Sequence, residues 1–142
     1  MRILELIFIL IITFSIDALG QVNGGSIMTV DSIIYKTSEL DSLPKFNYSK
    51  GESQNEKIRA YIKDNQLWPT QDDGVFIVWV KFVIEKEGKI SNIIVLKGIH
   101  PDYDKEAVKL INAMPIWKPG IKNNKFVRTE MLIPVKWTIF KD

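Results

Sequence analysis

Met114-Pro115-Ile116-Trp117-Lys118-Pro119-Gly120 is the stretch whose reading decides the fold. A thioether, an indole, two prolines and a glycine within seven residues describe a rigid corner. Pro115 bars a helix from continuing, and the indole brings a large apolar surface that wants burial. Before the corner, residues 101–114 carry Tyr103, Ala107, Leu110, Ile111 and Met114 at helical spacing, which predicts an amphipathic helix. Asp102 is the expected N-cap, with Asp104 and Glu106 in the first turn, where the helix dipole favours negative charge. After the corner, Lys122-Asn123-Asn124-Lys125 reads as a turn. Residues 126–140 then alternate. Val127, Met131, Ile133, Val135, Trp137 and Ile139 lie on one face, and Arg128, Glu130, Lys136 and Thr138 on the other.

Pro134 lies inside that last strand. It has no N–H to give to a ladder, so the strand is expected to be an edge strand or to keep one flank unpaired. A long free edge is normally suppressed as an aggregation hazard. It is also a surface on which a partner strand can dock.

Working back toward the N-terminus, residues 76–84 form the strongest strand. Phe76, Val78, Val80, Phe82 and Ile84 occupy one face, and Ile77, Trp79, Lys81 and Val83 the other. Glu85-Lys86-Glu87-Gly88-Lys89 is a charged hairpin turn, and residues 90–97 return. Ser53-Gln54-Asn55-Glu56 fits a capping box ahead of Ile58, Tyr61 and Ile62, a helix of about three turns that Trp68-Pro69 must end. Residues 32–37 could add a short strand.

The chain has 142 residues, 46% hydrophobic and 25% charged, with a net charge of +2 and no cysteine. Disulfides and a lipidated cysteine anchor are thereby excluded. Arg2, then the uncharged run 6–16, then Ala18-Leu19-Gly20 predict a cleaved signal peptide over residues 1–20. Residues 21–42 are then a polar lead containing the candidate short strand, and 43–142 are one domain. The weakly basic charge without a Lys/Arg block does not suggest nucleic acid.

No catalytic constellation is legible. His100 is the only histidine, so neither a Ser-His-Asp triad nor a zinc site can be built, and no cofactor is expected. Asp102, Asp104 and Glu106 sit two apart on a helix and face different directions. Asp72-Asp73-Gly74 lacks the later ligands of a calcium loop. Of the four tryptophans, Trp117 and Trp137 are expected in the core, and Trp79 opposite the main core face.

Three segments resemble the C-terminal domain of TonB-type periplasmic proteins: Tyr61-Ile62 through Asn65 to Trp68-Pro69; Val78, Val80, Phe82, Ile84, Gly88, Ile90, Ile93 and Val95; and Gly98 through Asp104-Lys105-Glu106-Ala107, the Met114–Gly120 corner, Asn123-Asn124-Lys125 and Val127. Asn124 stands where that family usually has glycine. The resemblance implies an α+β fold, with two helices packed on one face of a three-stranded antiparallel sheet. It also implies a periplasmic module that binds a peptide of an outer-membrane transporter, in service of transmembrane transport, and is not an enzyme.

Joined to the alternation and Pro134, the resemblance puts strand addition along Phe126, Val127, Arg128, Thr129, Glu130, Met131 and Leu132, with Arg128 and Glu130 biasing sequence choice and Trp68 and Pro69 as secondary contacts. Two alternatives stay open: an envelope protein that pairs with a second copy through the same edge, and a full energy transducer, anchored in the inner membrane, if the N-terminal segment is retained. Against the latter, residues 21–44 are not proline-rich and reach at most about 80 Å when extended.

Overall fold

The computed structural model describes residues 32–70 and 72–140. The expected signal peptide and half of the polar lead lie outside the described residues. The elements in order are β1 (Ile34–Lys36), a 3-10 turn (Thr37–Glu39), α1 (Gln54–Asn65), β2 (Gly74–Ile84), β3 (Ile90–Lys97), α2 (Pro101–Asn112), β4 (Gly120–Lys122) and β5 (Lys125–Ile139).

α1 begins as its sequence requires. Glu56 N–H donates to Ser53 Oγ at 3.3 Å, and Ser53 N–H donates to Glu56 Oε2 at 3.1 Å. At its other end the Asn65 side chain folds back onto the Tyr61 carbonyl at 2.8 Å. The helix closes there, ahead of Trp68-Pro69. α2 departs from expectation at its cap. His100, not Asp102, is the N-cap, and its Nδ1 accepts from Asp102 N–H at 3.3 Å. Pro101 at the first helical position explains the shift, because its fixed φ suits the first turn and places the cap on the residue before it, two positions earlier than expected.

β2 pairs antiparallel with β5 in an unbroken register from Gly74↔Ile139 to Ile84↔Thr129. β3 pairs antiparallel with the other side of β2, with two register shifts. On the far side of β5, β1 runs parallel to it from Ile34↔Arg128 to Lys36↔Glu130. β4 pairs antiparallel with β5 from Gly120↔Val127 to Lys122↔Lys125. The sheet is therefore mixed and five-stranded, with the path β1-β5-β2-β3. The three antiparallel strands expected from sequence are its centre, β3-β2-β5.

This corrects the expectation that β5 is an edge strand over its whole length. Pro134 reports only its own position on the ladder. Five residues earlier, β5 is covered by β1, through a parallel pairing between segments more than ninety residues apart that no local pattern encodes.

The inward residues of β2 and β5 form one core with both helices. Val78, Val80, Phe82, Ile84, Ile133, Val135 and Trp137 meet Ile58, Tyr61 and Ile62 from α1 and Tyr103, Ala107, Leu110 and Ile111 from α2. The Met114–Gly120 corner is held from two sides. Lys45 and Lys118 exchange backbone hydrogen bonds at 2.9 Å, and Trp117 N–H donates to the Gly88 carbonyl at 3.0 Å. The indole of Trp117 lies 4.8 Å from the Phe46 ring and is 2% exposed. The turn into β5 uses Asn123 and Asn124 at φ 50° and 60°. Asparagine tolerates that left-handed geometry, which explains its standing in for glycine.

Candidate functional site

Three strand flanks lack a strand partner among the described residues: the outer side of the three-residue β1, the outer side of β3, and the side of β5 facing away from β2 over residues 131–139. They are not equivalent. Register shifts break the ladder that holds β3, and Asn92 within it sits at φ 49°. Bulges of this kind twist an edge away from further pairing. The β5 flank is regular. Its ladder to β2 passes through Trp79↔Pro134 without a shift. A proline inside a paired strand keeps its missing donor on the unpaired side, so Pro134 faces the open flank. By alternation the N–H groups of Leu132, Lys136 and Thr138 face it too.

A groove runs along this flank between α1 and the sheet. One hollow, of about 640 Å³, is lined by Asn55, Ile58, Arg59 and Ile62 of α1, Ile77 and Trp79 of β2, and residues 131–134 and 136 of β5. It continues into a second, of about 310 Å³, bounded by Arg59, Ile62, Lys63 and Gln66, then Trp68, and on the sheet side Pro134, Lys136 and Thr138. These sizes suit several side chains of a guest.

The wall beyond α1 is fixed in place. Leu67 N–H donates to Glu106 Oε1 at 3.0 Å, and its carbonyl accepts from Trp137 Nε1 at 2.9 Å. Two features of the groove bear on recognition, one polar and one aromatic. The Oε1 of Gln66 is buried without a hydrogen-bond partner, and a buried acceptor left unsatisfied is costly. Trp68 stays 47% exposed although it borders the groove.

The residues read from sequence as the docking strand divide at this geometry. Val127 and Thr129 are buried. Phe126 and Val127 pair with β4, and Arg128, Thr129 and Glu130 pair with β1. The side chains expected to bias sequence choice are engaged internally. Arg128 Nε and Nη2 donate to the two Glu85 oxygens at 2.7 and 2.9 Å, and Glu130 lies 3.5 Å from Lys81 Nζ. Positions 126–130 therefore offer no free edge. Met131 and Leu132 begin the open stretch, and Trp68 borders the groove. Pro69 is not among its lining residues. Sequence reasoning missed Arg59, Ile62, Lys63, Gln66 and Lys136. The available signal was the helical spacing of Arg59, Ile62, Lys63 and Gln66 beside a strand containing proline.

The Arg128–Glu85 pair has a measurable consequence. The guanidinium hydrogen bonds hold the Glu85 carboxyl below its ordinary 4.5, desolvation opposes them, and a hydrogen bond from the Ser91 hydroxyl adds to the lowering. A carboxyl lowered in the folded state contributes stability that is complete above 4.5 and is lost as pH falls through the folded value. Thermal midpoints should therefore drop as pH falls below 4.5. Arg128→Met should lower stability at neutral pH by about 1–3 kcal/mol and shrink the acid-side slope. An unchanged slope in the variant would show that other carboxylates govern the acid limb.

Among the described residues, no group of three or more His, Asp or Glu is placed to hold a metal ion, and no helix is long and apolar enough to cross a membrane.

The sequence from β2 through β5, with the Trp117 corner between, matches a known family model. The family described as Gram-negative bacterial TonB protein C-terminal matches residues 77–139. Over those residues the chain is similar to a TonB C-terminal domain. The match takes in β3, α2, the corner, β4 and all of β5, and begins within β2. α1 and β1, which wall the groove and cover the first part of β5, precede it. The match supports a TonB-like role in envelope transport. No curated protein matches the chain.

Proposed function

We propose that the protein is a periplasmic TonB-like binding module that takes an extended peptide of an outer-membrane transporter as an added strand along residues 131–139 of β5. The observation that carries this reading is the unbroken β2–β5 ladder with its opposite flank unpaired beside a groove. Main-chain hydrogen bonds to the outward groups of Leu132, Lys136 and Thr138 supply affinity, and the groove beside α1 receives alternate side chains. The role is binding without bond chemistry. It differs from the sequence expectation in where the guest lies: β1 already occupies the place a guest would take beside positions 128–130, so the docking strand starts at Met131.

The test is titration of the 15N-labelled chain with a transporter-derived peptide. Amide shifts should concentrate on residues 131–139 and on the groove side of α1. Thr138→Pro, which removes one outward N–H, should weaken binding about fivefold, since a backbone hydrogen bond is worth about 1 kcal/mol. Shifts confined to β3, or none at all, would refute strand addition at β5.

A further inference from the structure

We infer that the guest strand is acidic, carrying two carboxylate side chains at alternate positions. This rests on the strand-addition reading above and names the partner chemistry that the groove selects.

The groove holds three cations and no carboxylate among its lining residues: Arg59 and Lys63 on α1, and Lys136 on β5. Among the described residues none of the three is held in an ion pair. The carboxylates of the neighbouring elements are committed elsewhere. Glu56 turns back to its own helix start, accepting from the Glu52 and Ser53 N–H groups at 2.9 and 3.1 Å. Arg59 assists it only through space. Asp64 accepts from Lys50 at 2.6 Å and from the Tyr48 hydroxyl at 2.8 Å. Glu106 accepts the Leu67 N–H, and Glu130 faces Lys81. The positive field in the groove is therefore compensated by the protein only through space, by Glu56 on Arg59 and Asp64 on Lys63, with no carboxylate among the lining residues, and a concave site with low-dielectric walls focuses it.

Spacing makes the inference more specific. The two hollows share Arg59, Ile62, Pro134 and Lys136, and they follow α1 and β5 in the same chain direction. Arg59 and Lys63 are one helical turn apart, about 6 Å along the axis. Same-face side chains of an added strand repeat at about 6.8 Å. One row of guest side chains thus meets successive cations on α1, with Lys136 opposite. A neutral guest would still find its backbone partners on β5 but would leave the three charges unanswered.

The test uses the full chain and three short acetylated, amidated peptides that alternate threonine and valine. They differ only in a central Glu-Val-Glu, Gln-Val-Gln or Lys-Val-Lys. Affinity is read from amide shifts and intrinsic fluorescence. The glutamate peptide should bind about tenfold more tightly than the glutamine peptide and the lysine peptide most weakly. The glutamate advantage should shrink between about 50 mM and about 500 mM salt, where the screening length falls several-fold. Replacing Arg59, Lys63 and Lys136 together by glutamine should erase the difference between the glutamate and glutamine peptides while keeping the affinity for the glutamine peptide.

Equal affinities for all three peptides, with shifts on residues 131–139, would overturn the acidic preference and leave strand addition standing. Tightest binding of the lysine peptide would do the same. Shifts away from β5 with every peptide, or no binding, would overturn both.

Discussion

Gly88→Ala should destabilise the domain by roughly 3–5 kcal/mol, at the upper end of what single substitutions cost. Gly88 sits at φ 85°, and a Cβ there would lie 1.9 Å from the Trp117 carbonyl oxygen and 2.8 Å from Ile116 Cγ2. The left-handed conformation alone costs a non-glycine residue about 1–2 kcal/mol. The contact with a backbone oxygen is the larger effect, because the chain cannot rotate it away as it could the end of a flexible side chain. Relief requires separating the β2–β3 turn from the Trp117 corner. That breaks the Trp117 N–H bond to the Gly88 carbonyl and loosens an indole packed on Phe46 and Phe82. Against a total stability of about 5–15 kcal/mol, such a loss brings a domain near its unfolding threshold. Chemical denaturation of Gly88→Ala beside Glu87→Ala measures it. The neighbour is exposed and should shift the midpoint little. Equal, small shifts in both variants would mean that the corner does not depend on this close approach.

The same pair of segments shows what was legible in advance. The corner, the hairpin and both helices are local: capping box, proline stops and side-chain period each announce themselves within a dozen residues. β3 begins and ends where its alternation does, and the indoles of Trp117 and Trp137 are buried as their phase requires, at 2% and 0% exposure. What was not legible is non-local. β1, which lies within the short strand expected over residues 32–37, has three residues and β4 has three, too few for the sequence to say what they pair with. Their partners on β5 are chosen by tertiary packing. The parallel register Ile34↔Arg128 is the clearest case. It moved the open flank from positions 126–132 to 131–139, and with it the candidate site. Pro134 was the right signal read over too wide a span. The cations of the groove escaped for a related reason. Arg59 and Lys63 look like an ordinary solvated helix face until β5 is placed beside them.

Trp137→Ala should be as damaging as the glycine change, at about 3–5 kcal/mol for a fully buried aromatic truncated to a methyl group. It should also do something the glycine change does not. Trp137 is 0% exposed, its ring meets Tyr103 edge-on at 5.1 Å, and its Nε1 donates to the Leu67 carbonyl at 2.9 Å. That bond crosses from the core face of β5 to the segment after α1, so one side chain ties the guest-facing strand to the groove wall that ends in Trp68. Trp137→Phe separates the two roles. It keeps a six-membered aromatic ring and removes the donor together with the rest of the indole, leaving the Leu67 carbonyl to find water. Its stability cost should be about 1–2 kcal/mol. If the wall is held by this bond, Trp137→Phe should increase hydrogen exchange at residues 66–68 and weaken peptide binding several-fold, while amides at the Trp117 corner exchange as before. If exchange rises equally at both places, Trp137 acts on global stability alone and the groove wall has another anchor, for which the Glu106 contact with the Leu67 N–H is the natural next target.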